Sequence, residues 1–127
     1  CGNTTPGIEP NRSNSFVKVL AGIQTVVKNK YLEAHLEKIG KNTVEVWEEI
    51  SNNLGSVQSL DFLDDETKAV FKTASEISPK DIINLASDRQ KYIDMAQSIN
   101  LFNRPNYTIK DVYDIHMYAF NNDIKLF

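Results

Sequence analysis

The alternation of hydrophobic and polar positions divides the chain into one β-hairpin followed by a series of helices. Ser15–Leu20 and Ile23–Val27 are rich in Val, Ile and Phe, and Ala21–Gly22 separates them, a pattern typical of a hairpin. From Asn29 onward the apolar residues recur at helical spacing. The pattern predicts a helix-rich α/β fold, or α+β if the chain folds by itself, with the hairpin and about five helices in a single domain spanning residues 1–127.

Capping residues mark where the first two helices begin and end. Asn29 and Thr43 stand before apolar stripes, and Gly40 and Gly55 follow them. The residues expected to face inward are Tyr31, Leu32, His35, Leu36 and Ile39 in the first helix, and Val44, Trp47, Ile50 and Leu54 in the second.

The next two helices carry similar start signals. Asp64 or Asp65 caps a third helix that continues through Val70, Phe71 and Ala74. Ser78 and Pro79, with Asp81, start a fourth helix expected to reach about Gln97. Its inward residues are expected to be Ile82, Ile83, Leu85, Ala86, Ile93 and Ala96.

The last segment predicts one more helix between two less regular stretches. Ile99–Phe102 is expected to be extended, and residues 103–107 to turn around Pro105. Thr108 and Asp111 have the spacing of a capping box. Residues 123–127 could begin a strand. The stripe expected to face inward in this helix is Ile109, Val112, Tyr113, His116, Met117 and Phe120.

Composition and charge narrow the classes of protein. The net charge of −3 argues against a nucleic-acid binder, because such proteins carry basic patches, and here the lysines alternate with glutamates. The single cysteine, Cys1, excludes an intrachain disulfide and a four-cysteine metal site. No apolar run is long enough to span a bilayer and no signal peptide is visible, so a cytoplasmic protein without membrane contact is expected.

The residues that could carry chemistry do not form a catalytic pattern. His35 and His116 have no second ligand at metal spacing, so structural roles are expected for both, with His116 finding a carbonyl partner. Cys1 would need a neighbouring base to act as a nucleophile. The acidic run Asp64–Glu66 stands where a helix N-terminus favours negative charge. The residues alone therefore predict neither a catalytic residue nor a metal site.

Five segments together resemble the large subunit of class I ribonucleotide reductase. They occur in the family's order and spacing over essentially the whole chain. The most specific is the run from Ala86 to Phe102. The chain departs from the family pattern at Met95-Ala96, where the family has Gln-Ser. It also lacks the family's Trp near Phe120 and its Gly near Asp123. The other segments are Gly7-Ile8-Glu9-Pro10 with Asn14, Trp47-Glu48-Glu49-Ile50 with Gly55-Ser56-Val57-Gln58, Val70-Phe71-Lys72-Thr73, and His116 through Phe120 to Ile124-Lys125.

The resemblance implies a C-terminal portion of the family's ten-stranded α/β barrel. The parent enzyme replaces the ribose 2′-hydroxyl of a ribonucleoside diphosphate with hydrogen by cysteine radical chemistry. Its catalytic residues are expected upstream of Cys1, and Cys1, Gly2 and Asn3 would flank the loop that binds substrate phosphate. No cofactor is expected on this chain, whereas the parent enzyme needs a metal or radical cofactor in its small subunit and a thiol reductant.

The partners implied by the resemblance are the upstream part of the large subunit and the small, radical-generating subunit. The last helix is similar to the family helix that helps bind the small subunit's C-terminal tail, which makes Lys110, Asp111 and Asp114 candidate contact residues, although they could equally be ordinary surface positions. Two alternatives remain besides an inactive enzyme fragment: a separate gene product that docks with an upstream half, and an interaction module that keeps only the fold. Helices that have lost barrel partners would also promote self-association through exposed apolar stripes.

Overall fold

The computed structural model describes residues 8–102, 104 and 106–125, and it forms two compact units, Cys1–Ala74 and Ser75–Phe127. Within the described residues, a hairpin is followed by five α-helices, as the sequence predicts. The elements are β1 (Ser15–Leu20), β2 (Ile23–Lys28), α1 (Lys30–Lys38), α2 (Val44–Asn52), α3 (Asp65–Val70), a 3₁₀ turn (Ala74–Glu76), α4 (Pro79–Gln90) and α5 (Ile109–Asn121). Whether the chain acts as one partial domain stays a prediction.

The hairpin has the predicted strands and turn. β1 and β2 pair antiparallel, with Ser15 opposite Lys28 and Leu20 opposite Ile23. Ala21 and Gly22 both adopt positive φ, 51° and 80°. Two consecutive residues of this kind form the type I′ turn, whose twist matches that of paired strands.

The core of the first unit is narrower than the apolar stripes of its helices. The predicted caps are confirmed, since the Asn29 side chain accepts from the first-turn N–H groups of α1 and the Thr43 side chain does so in α2. Two residues per helix supply the core, because a short helix turns only one side to its neighbours. The buried residues are Leu32 and Leu36 from α1, Trp47 and Ile50 from α2, and Val57, Leu60 and Leu63 from the loop that follows.

The wider inward stripes predicted for α1 and α2 are therefore wrong at their edges. Tyr31, Ile39, Val44 and Leu54 are exposed. Leu54 is 87% exposed because it has already left the helix, with a φ of +57° in the turn that ends α2.

That turn brings the backbone of Gly55 against the segment that precedes β1. The Gly55 N–H donates to Ile50 O (2.8 Å) and that of Leu54 to Ser51 O (3.2 Å), the hydrogen bonds of a Schellman motif. A Cβ on Gly55 would lie 2.8 Å from Ser13 Cα, and the φ of this residue is +82°. Only glycine satisfies both constraints.

Asn14 joins four parts of the first unit and is 2% exposed. Its Nδ2 donates to Gly55 O (2.9 Å) and to Phe71 O (2.8 Å), and its Oδ1 accepts from Asn29 Nδ2 (2.9 Å). One side chain thus links the start of the hairpin to the residues that end α2 and α3 and to the cap of α1.

The third and fourth helices are shorter than predicted. Asp64 caps α3, but the helix ends at Val70 and does not continue through Phe71 and Ala74. α4 starts at Ser78 and Pro79 as expected and ends at Gln90, seven residues before Gln97.

Glutamine side chains give the physical reason for the early end of α4. Gln90 Nε2 donates to Ile93 O and Met95 O, both at 3.0 Å. Gln97 Nε2 donates to Ala86 O at 2.8 Å, so the chain folds back along the helix. Ile93 and Ala96, predicted to face inward, are consequently exposed, and so is Leu85.

The stretch after α4 has no regular secondary structure. No strand is assigned over Ile99–Phe102, where the sequence predicts extended chain, although Ile99 and Leu101 pack against the core of the second unit. Asn103 and Pro105, in the predicted turn, lie outside the described residues. Residues 123–125 form no strand, and the remainder of that predicted strand also lies outside them.

Candidate partner surface on the last helix

The start of α5 is held by the predicted capping box. The backbone N–H and the hydroxyl of Thr108 donate to Asp111 Oδ2 (2.7 and 2.6 Å), and the Asp111 N–H donates to Thr108 Oγ1 (3.2 Å). The hydrogen bond from the Thr108 side chain, followed by that from its backbone, lowers the pKa of Asp111 below its ordinary value. The Asp111 carboxylate is therefore occupied in fixing the first turn of the helix.

The buried side of α5 is not the side that the sequence predicts. Ile115 and Ala119 face the core of the second unit and pack with Ile83, Ala86 and Ile124. Ala86 and Ala119 are both 0% exposed, and such small residues allow close approach of the α4 and α5 backbones. The helix thus packs against the core through Ile115 and Ala119.

Four apolar residues of α5 form an exposed stripe, here called the α5 stripe. It consists of Ile109, Tyr113, Met117 and Phe120, which are 92%, 62%, 38% and 72% exposed. Their spacing of four, four and three residues keeps them on one side of the helix. The prediction that these residues face inward is wrong, and the same spacing leaves an apolar surface open to solvent.

Polar residues flank the α5 stripe. Lys110 and Asp114 are exposed and stand one turn apart beside Tyr113. His116 is also exposed, and its Nδ1 lies 2.7 Å from Val112 O, the kind of carbonyl partner that the sequence predicts. A contact of Lys110, Asp111 or Asp114 with a partner stays a prediction. Cys1, Gly2 and Asn3 lie outside the described residues.

The turn that ends α5 lies where the chain has Asp123 and the family pattern has a nearby glycine. Asp123 has a φ of +57°, and the N–H of Ile124 donates to Ala119 O (3.3 Å) to close a Schellman turn. Left-handed backbone favours glycine, and glycine is the residue that the family resemblance leads one to expect near this position. The aspartate preserves the turn at a cost in strain.

The other residues singled out from the sequence have structural surroundings. The His35 ring is half-buried, with its centroid 6.4 Å from that of Phe71. Asp64 Oδ1 accepts from Thr67 N (2.7 Å), and hydrogen bonds from the Thr67 side chain and backbone lower the pKa of Asp64. The capping role expected of the acidic run is thus seen at Asp64. Among residues 8–102, 104 and 106–125, no three His, Cys, Asp or Glu side chains are grouped as metal ligands would be.

One feature that the sequence does not reveal is an open depression of about 500 Å³ between β2 and α2. Its walls combine apolar and polar side chains, and Lys28 Nζ lies 4.8 Å from the centre of the Trp47 ring. The lining residues are Val26, Lys28, Val44, Trp47, Glu48, Ser51 and Asn52.

No helix in the described part of the chain has the length and apolar character required to cross a membrane.

Comparison with known proteins decides the family. The family model described as "Ribonucleotide reductase, barrel domain" matches residues 1–127. The chain belongs to this family. The resemblance seen in the sequence motifs is thereby confirmed, and so is the assignment of the hairpin and helices to the barrel region.

The relatives are large subunits much longer than this chain. The ribonucleoside-diphosphate reductase large subunit of Invertebrate iridescent virus 6 is 41% identical over 98% of this chain, which covers 13% of that protein. That of Invertebrate iridescent virus 3 is 40% identical, with 20% of its length covered. The Actinobacillus ureae class Id ribonucleotide reductase alpha subunit superposes with a TM-score of 0.86 at 40% identity, over 97% of this chain and 22% of that one.

Proposed function

We propose that the chain forms part of the barrel framework of a class I ribonucleotide reductase large subunit. The complete subunit would reduce ribonucleoside diphosphates to deoxyribonucleoside diphosphates through a cysteine radical, with its catalytic residues in other parts of the polypeptide. The observation that carries the proposal is the superposition of 97% of the chain on a class Id alpha subunit, at 40% identity, over only 22% of that subunit.

The described residues would contribute to this enzyme by fixing positions. Asn14 ties the start of the hairpin to the residues that end α2 and α3, and Gln90 and Gln97 fold the chain back after α4. Cys1, Gly2 and Asn3 would continue from the loop that binds the substrate's phosphate groups. The framework would therefore influence substrate binding through the path of the backbone, without a side chain that takes part in the chemistry.

The α5 stripe supports a contact with the small subunit. An exposed apolar row flanked by charges of both signs is suited to binding an amphipathic segment, because the apolar row supplies affinity and the charges fix the register. Lys110 and Asp114 are the side chains available at its edge, since Asp111 is occupied by Thr108. The metal or radical cofactor would reside in the small subunit, and a thiol reductant would complete the cycle.

A chimeric large subunit tests the framework role. Residues 1–127 replace the matching segment of the large subunit of Invertebrate iridescent virus 6, which is 41% identical to this chain. The chimera is assayed with that virus's small subunit, a thiol reductant and a ribonucleoside diphosphate. We expect deoxyribonucleoside diphosphate to form. A chimera that folds, binds the small subunit and yet gives no product would contradict the framework role.

Charge reversal on α5 tests the contact with the small subunit. In the chimera, Lys110→Glu and Asp114→Lys should each weaken small-subunit binding. Lys30→Glu, at the exposed start of α1, is the matched control and should not. Binding of a synthetic peptide with the sequence of the small subunit's C-terminal tail is followed by fluorescence anisotropy. Equal affinities for all three variants and the parent would remove α5 from the proposal.

A further inference from the structure

We draw no further inference here: the strongest candidate, the open depression between β2 and α2 beside Lys28 and Trp47, carries none, because the chain spans only a small part of the large subunits that it matches and nothing in the structure shows what covers this surface.

Discussion

Replacement of Asn14 by alanine is the most informative perturbation of the first unit. The variant deletes hydrogen bonds to Gly55 O, Phe71 O and Asn29 Nδ2 at a side chain that is 2% exposed. A typical hydrogen bond contributes about 1 kcal/mol net, and a buried group left without a partner costs about 1–3 kcal/mol more. Three lost bonds, with Gly55 O still accepting from the Asn14 N–H, give an expected loss of about 3–4 kcal/mol.

The measurement is urea unfolding followed by tryptophan fluorescence. The chain has one tryptophan, Trp47, which is 4% exposed in the core of the same unit, so the signal reports this unit directly. Asn53→Ala is the matched control, because Asn53 Nδ2 also donates to a carbonyl, Glu49 O (2.9 Å), and to Ser59 Oγ (3.2 Å), but at an exposed site. We expect the control to lose less than about 1 kcal/mol, since water can replace both bonds.

A second substitution separates hydrogen bonding from volume. Asn14→Asp keeps the shape but directs a carboxylate oxygen at the carbonyls of Gly55 and Phe71, so at neutral pH it should destabilise at least as much as Asn14→Ala. Equal free energies of unfolding for Asn14→Ala and Asn53→Ala would contradict a stabilising role for the buried Asn14 hydrogen bonds, and so would a stability of Asn14→Asp equal to that of the parent chain.

The remaining predictions concern backbone strain and pH. Leu54→Gly should raise the free energy of unfolding in urea by about 0.5–1 kcal/mol, because Leu54 has a φ of +57° and is 87% exposed. Leu85→Gly, inside α4, is the control and should lower the free energy of unfolding by about 1 kcal/mol. Gly55→Ala should lower the free energy of unfolding by about 3 kcal/mol or more, since its Cβ would clash with backbone. Gly40→Ala, with open space around its Cβ, should lower it by only about 1–2 kcal/mol, the cost of backbone strain. Similar values for both variants would contradict the clash. The pKa of Asp111 is lowered in the folded chain, so its ionised form stabilises α5 at pH values above the ordinary pKa of about 3.9. This contribution disappears as the pH falls through the lower folded-state pKa. Circular dichroism should therefore detect fraying of α5 in that acidic range in the parent chain and not in Asp111→Asn.

Local signals in the sequence predict the starts of the elements well. Asn29, Thr43, Ser78 and Thr108 each accept a hydrogen bond from a first-turn N–H, as their residue types suggest. A cap acts within three residues of itself, so the information needed lies within a short window. The hairpin turn at Ala21–Gly22 is local in the same way.

Features that depend on residues far apart in the sequence cannot be predicted from short sequence windows. Asn14 reaches Gly55 across 41 positions and Phe71 across 57, and nothing in a short window indicates those partners. The early end of α4 is set by two glutamine side chains: Gln90 Nε2 donates to Ile93 O, and Gln97 Nε2 donates to Gln90 Oε1. Ile93 nevertheless keeps the sequence spacing of a helical apolar residue. Helical periodicity therefore predicts a longer helix than the side-chain hydrogen bonds allow.

The orientation of α5 was ambiguous for a different reason, and the ambiguity bears on function. Both Ile115 with Ala119 and the α5 stripe have helical spacing. Only the packing against Ile83, Ala86 and Ile124 places Ile115 and Ala119 in the core. The sequence nevertheless predicts the candidate residues Lys110 and Asp114 on this helix by resemblance, and the structure leaves both exposed beside the stripe.

The α5 stripe has no backbone groups to offer, because the interior of a helix satisfies its own, so it must bind through side chains. The proposed contact with the small subunit should therefore depend on the side chains of the stripe. In the chimera, Met117→Lys should weaken binding of the tail peptide, whereas Leu85→Lys, at a position of α4 that is 61% exposed, should leave it unchanged. Equal affinities for the two variants would mean that the stripe does not take part in the contact.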